Sequence, residues 1–93
     1  RLTRKGEATF YTTGLGSCGK TSRNNEMVAA LSGLLMLSGN YCGRKIRASS
    51  QHGSVMLKVV DTCPACAPGD IDMSPAAFRK LAKLDEGRIP ISW

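Results

Sequence analysis

The chain has 93 residues, 42% hydrophobic and 22% charged, with 13 basic and 7 acidic side chains giving a net charge of +6. That length holds one domain with a thin core, for which covalent stapling is expected, and the composition excludes a disordered or low-complexity chain. The scattered basic residues do not alternate with the five aromatics, which argues against a nucleic-acid platform; the charge serves solubility or an acidic partner, and an anionic or polyhydroxy polymer fits at least as well as nucleic acid.

Charged residues follow Arg1 at once, so no secretory leader is legible, and the chain reads as a mature form with a flexible lead-in over residues 1–5. EATFYTT, Glu7–Thr13, is rich in aromatic and β-branched residues and predicts a strand. GLGSCG, Gly14–Gly19, predicts a glycine-rich turn. It is no phosphate loop, because no Gly-Lys-Ser/Thr follows at the required distance. Thr21–Asn25 reads as loop. Glu26–Ser32 fits strand or helix, being too short for periodicity to decide. Met27–Leu37 is the longest apolar stretch, too short and too interrupted to span a bilayer.

Ser38–Gly43 is a turn cluster. Arg44–Ser50 and Ser54–Asp61 bracket Gln51-His52-Gly53 as a hairpin, with Val55, Leu57 and Val59 on one core face. Prolines and glycine make Thr62–Asp70 a loop. Ser74–Leu84 predicts the one helix, with Ser74 as N-cap, Pro75 at the first helical position and Phe78, Leu81 and Ala82 on one stripe. Gly87 ends it, and Arg88–Trp93 reads as a last strand. Short strands with one late helix predict a small β-barrel.

Four cysteines in a small basic domain read as two disulfides and a secreted, extracellular protein, and spacing leaves three pairings open. Cys63-Pro64-Ala65-Cys66 has thioredoxin-like spacing, but Pro68 and Gly69 follow where a helix N-terminus should lower the thiol pKa. Cys18, Cys42 and the turn residue His52 do not complete a zinc set. No metal and no cofactor are expected.

The segments GEATFYTTGLGSCG, YCGRKI and VVDTCPACAPGDIDMSPAAFRKLAKLDEGRIPISW, in that order, resemble the single-domain expansin-like proteins of fungi, including the loosenins, which are related to the rare-lipoprotein-A and barwin families. The resemblance covers nearly the whole chain. It implies one domain over residues 1–93, a mainly β fold built as a six-stranded double-psi β-barrel with a short helix in the C-terminal half. It supports pairing Cys18 with Cys42, which leaves Cys63 and Cys66 as a local clip. It places a polysaccharide groove along Thr9, Tyr11, Asp61 and Asp72, with Asp72 matching the acidic residue that expansins require.

Thr9, Tyr11 and Thr13, two apart, would share one strand face. Hydrolysis by inversion needs two carboxyls roughly 6.5–9.5 Å apart, one acid and one base. In the related glycosidases the base lies where this chain has Thr13, and threonine is no general base near neutral pH. The expected protein therefore binds cell-wall polysaccharide (cellulose, chitin or a related glycan, with acidic polymers also in view) and loosens it without cutting. It acts as a monomer, with no nucleic acid or membrane partner. The alternatives are a protease-inhibitor or plant-defence module on the same barrel and, third, a lytic transglycosylase or endoglucanase. On residue type alone, Asp61 reads as a turn carboxylate capping backbone N–H groups, and Asp72 as a charge at a helix N-terminus.

Overall fold

The computed structural model describes residues 4–93. Six strands, β1 (Lys5–Phe10), β2 (Val28–Ser32), β3 (Lys45–Ser50), β4 (Gly53–Cys63), β5 (Ile71–Met73) and β6 (Ile89–Ser92), close a barrel in the order β1-β5-β2-β4-β3-β6. β1–β5 and β2–β4 pair in parallel, and the other four neighbouring pairs are antiparallel. Closure removes free sheet edges, so every strand lends one face to a shared interior.

That interior is filled by alternate residues: Ala8 from β1, Ala29 and Leu31 from β2, Ala48 from β3, Val55, Leu57 and Val59 from β4, Ile71 and Met73 from β5, and Ile89 and Ile91 from β6. Helix α2 (Pro75–Arg79) plugs one end with Phe78, whose ring lies 5.0 Å from that of Phe10, a tilted pair. Such a contact adds about 0.5–1.5 kcal/mol beyond burial. The Cys18–Cys42 bridge ties the first loop to the turn before β3, and Cys63–Cys66 clips the end of β4.

Several expected boundaries move. The ambiguous Glu26–Ser32 stretch is strand from Val28, because neighbours on both sides pair with it. A helix that the sequence did not announce, α1 (Gly33–Ser38), follows it, started by the Ser32 hydroxyl accepting from the Leu35 N–H. The expected helix Ser74–Leu84 is shorter. The Ser74 cap and Pro75 hold, but after Arg79 the ladder tightens to Lys80→Ala77 and Leu81→Phe78 bonds, and the Ser50 hydroxyl donates to the Leu81 carbonyl. That turn drives Leu81 inward, and a 3-10 turn (Leu84–Glu86) takes up the remainder. Arg4 and Lys5, expected in a flexible lead-in, are ordered into the barrel: Lys5 opens β1, and Arg4 exchanges backbone hydrogen bonds with Trp93. Residues 1–3 lie outside the described residues.

Candidate functional site

The register of four adjacent strands assembles a row on the barrel's outer face. Ala8 and Phe10 point inward, so Thr9 points out. Thr9 pairs with Asp72 on β5, Asp72 with Ala30 on β2, and Ala30 with Asp61 on β4. Asp61 needs an explanation, because it has the parity of the inward Val55, Leu57 and Val59. A bulge supplies it. Ala29 pairs with Val59 but Ala30 with Asp61, so Val60 is the extra residue, and the alternation flips there. Bulges beside functional sites commonly re-aim a side chain in this way. With strands about 4.8 Å apart, two spacings separate Asp61 from Asp72, roughly 10 Å at the backbone.

The loop over residues 14–21 packs against the bulge. Gly16 sits there because a Cβ would overlap the Val60 carbonyl oxygen, a close approach that only glycine permits. The approach lets the Ser17 N–H donate to Asp61 Oδ1 at 2.9 Å, alongside the Thr62 N–H at 2.7 Å. Asp61 is thus oriented by two backbone donors, as its reading as a turn carboxylate anticipated. One oxygen accepts both, and its Oδ2 is not engaged by either.

Asp72 is different. It does not cap the helix, a task that falls to Ser74. Its Oδ1 accepts from the Thr9 hydroxyl at 2.9 Å. Burial pushes its carboxyl above the ordinary carboxylate range, against the pull of the Thr9 hydrogen bond and the Arg88 charge, while Asp61 pushes the same way as burial. Tyr11 lies just past β1, its N–H on the Met73 carbonyl. Burial first, then the charges of Asp61 and Asp72, lift its phenol to about 12. The phenol therefore stays protonated, a donor beside two carboxylates.

All four expected groove residues, Thr9, Tyr11, Asp61 and Asp72, thus come together. Thr13 lies three residues past the end of β1, and its N–H and hydroxyl both bond Asn24 Oδ1, at 2.8 and 2.9 Å. Asp70 holds the Glu7 N–H at 2.9 Å, and Glu7 pairs with Arg88 at 2.9 Å where the row meets β6. Sequence reasoning missed Ala30, the floor between the two carboxylates. Its only signal was a small residue in VAALS, legible once the register was known. His52 is exposed in the hairpin turn, and no group of metal-ligating side chains forms among the described residues. What the row offers is acceptors, a hydroxyl and a phenol on half-buried side chains of the outer face, suited to a neutral, hydroxyl-rich ligand.

A family model described as lytic transglycolase matches residues 3–93. An EG45-like domain containing protein of Citrus jambhiri is 34% identical over 103 residues, covering 96% of this chain and 79% of its own. The crystal structure of a mutant Clavibacter michiganensis expansin in complex with cellohexaose superposes with a TM-score of 0.87 at 31% identity, over 98% of this chain and 48% of the expansin. A Streptomyces papain inhibitor gives the same TM-score, 0.87, at 31% identity, over 99% of this chain and 92% of the inhibitor. The chain spans about half the length of the expansin it matches. By the match over nearly its whole length, the chain belongs to the rare-lipoprotein-A-like double-psi β-barrel family.

Proposed function

We propose that the protein is a secreted, expansin-like module of the loosenin type that binds a cell-wall glycan across the Thr9–Asp72–Ala30–Asp61 row and loosens the network without cutting it. The observation that carries this is the row itself, a band of acceptors with Tyr11 as donor on the outer face. A sugar polymer offers hydroxyls at every residue, and a carboxylate accepting from them makes stronger hydrogen bonds than one sugar makes to another. Asp72 then competes for the bonds that hold neighbouring glycan chains together. The resemblance assigns the general-base position to Thr13, a residue that is no base near neutral pH and whose hydroxyl donates to Asn24. The expansin–cellohexaose complex supports a β-glucan as ligand, and two disulfides suit an oxidising, extracellular setting.

A second reading has its own support. The likeness to a papain inhibitor covers 92% of that protein, and Leu15, 76% exposed, stands on the loop that Cys18–Cys42 fixes. There the loop would dock into a protease cleft, and the row would be incidental.

Pull-down on insoluble cellulose, chitin and peptidoglycan, with released sugar assayed in the same tubes, separates the readings. Binding without release, lost in Asp72→Asn, supports the loosening reading and names the polymer. Release abolished in Asp72→Asn makes the protein a lytic enzyme. Tight binding to papain, insensitive to Asp72→Asn, moves the assignment to the inhibitor.

A further inference from the structure

From Met27 to Val60 the chain carries Arg44, Lys45, Arg47 and Lys58 and no aspartate or glutamate. Folding gathers these onto one wall. On β3 and β4, Ala48, Val55 and Leu57 face the core, so Lys45, Arg47, Met56 and Lys58 face out. The antiparallel register sets Lys45 directly opposite Lys58 and Arg47 opposite Met56. Like charges directly opposite destabilise a sheet pair, and among the described residues the one ion pair, Arg88–Glu7, lies elsewhere. Trp93, at the end of β6, completes the wall, with the Arg4 guanidinium 5.5 Å from its ring centroid. Lys45, Ile46, Arg47, Met56 and Trp93 line a hollow of about 580 Å³.

In the barrel ring, β3 stands three strands from the β5 of Asp72, so this wall is turned away from Asp72 and nears the row only at Asp61, on the shared strand β4. One face of the barrel carries carboxylates and the other uncompensated cations beside an indole and an exposed thioether (Met56 is 47% exposed). An apolar platform rimmed by cations fits a sugar whose ring has a C–H face and whose edge carries a carboxylate. Such a ring lies on Met56 beside Trp93, whose ring carries the Arg4 guanidinium and whose Nε1–H donates to the Gly69 carbonyl, while Arg47 and Lys45 take the carboxylate, Arg47 with the two-pronged geometry that guanidinium allows.

We propose that the β3–β4 wall with Trp93 is a second binding site, for an anionic polysaccharide of the polyuronate type. The glycan class rests on the wall-polymer reading above; the site itself does not. A barrel with opposed neutral-glycan and polyuronate faces bridges two different polymers.

The test titrates the protein with polygalacturonate and with its fully methyl-esterified form, in low and moderate salt. Cellohexaose reports the Asp72 row in parallel. The acidic polymer should bind, the ester should not, and affinity should fall on the order of tenfold between about 50 and 200 mM salt for two to three neutralised charges. Lys45→Gln/Arg47→Gln should weaken polygalacturonate about tenfold and leave cellohexaose unchanged, whereas Asp72→Asn should do the reverse. Equal binding of acid and ester, no effect of the double glutamine variant, or loss of polygalacturonate in Asp72→Asn overturns the proposal. So does tighter binding to duplex DNA or anionic vesicles than to polygalacturonate. Failure with cellohexaose alone sinks the row reading and leaves this one standing.

Discussion

Ala30 offers a clean perturbation of the row, because it touches the site without removing any of its polar groups. It pairs with Asp72 on one side and Asp61 on the other and is 2% exposed, its methyl below the level of its flanks. Ala30→Leu adds three carbons at the centre of the row. A glycan crossing the row would lose access to at least one carboxylate. A hydrogen bond to a charged group is worth about 1.5–3 kcal/mol, so affinity should drop at least about tenfold. Overpacking a buried position costs about 1–3 kcal/mol, and each 1 kcal/mol is a melting-point loss of about 4–8 °C. Cellohexaose calorimetry with thermal melts of Ala30→Val and Ala30→Leu reads both numbers. A folded Ala30→Leu protein that binds as wild type refutes the placement of the glycan. A collapse of the fold already at Ala30→Val would show that the position is packed as core and is not a groove floor.

Asp72→Asn should leave the protein no less stable at neutral pH. The folded-state pKa of Asp72 lies above its unfolded value, so the folded state binds its proton more tightly, and the group's contribution to stability falls as pH rises through that window. The asparagine variant should therefore melt at or above wild type at pH 7, with the gap closing as pH drops below the ordinary carboxylate range; a large loss at pH 7 contradicts this. Tyr11 should titrate at about 12 in ultraviolet absorbance, and Asp61→Asn should lower that value; no change would mean that Asp61 does not face the phenol. Of the two disulfides, Cys18–Cys42 closes a loop with a sequence separation of 24 and Cys63–Cys66 one of 3. Loop-closure entropy assigns them about 3.5 and 2 kcal/mol, so the alanine pair at 18 and 42 should be the more damaging in denaturant melts.

The strands with clean alternation were legible in advance. Val55, Leu57 and Val59 face the core as the pattern required, and the Gln51–Gly53 hairpin closes as read. Ser74 and Pro75 announced the start of α2, but nothing local announced its end, which depends on Leu81 seating in the core and on a hydroxyl from β3. Helix α1 was hidden in an apolar run whose partition between strand and helix is fixed by pairing with β4 and β5. For the proposed site, the choice of Thr9, Tyr11, Asp61 and Asp72 was legible by resemblance. Its geometry was not, because the outward turn of Asp61 depends on a bulge at Val60 that appears only when β4 is laid beside β2. Thr13 was expected on one strand face with Thr9, but β1 ends at Phe10 and Thr13 bonds Asn24 instead of a strand partner.

Backbone amide shifts followed during a cellohexaose titration test whether a neutral glycan lies across the outer row. Saturable shifts should cluster at Thr9, Tyr11, Ala30, Asp61 and Asp72, with β3 and the outward residues of β4 before the bulge left unmoved. Shifts confined to the loop around Leu15, or to the β3–β4 wall, would contradict it.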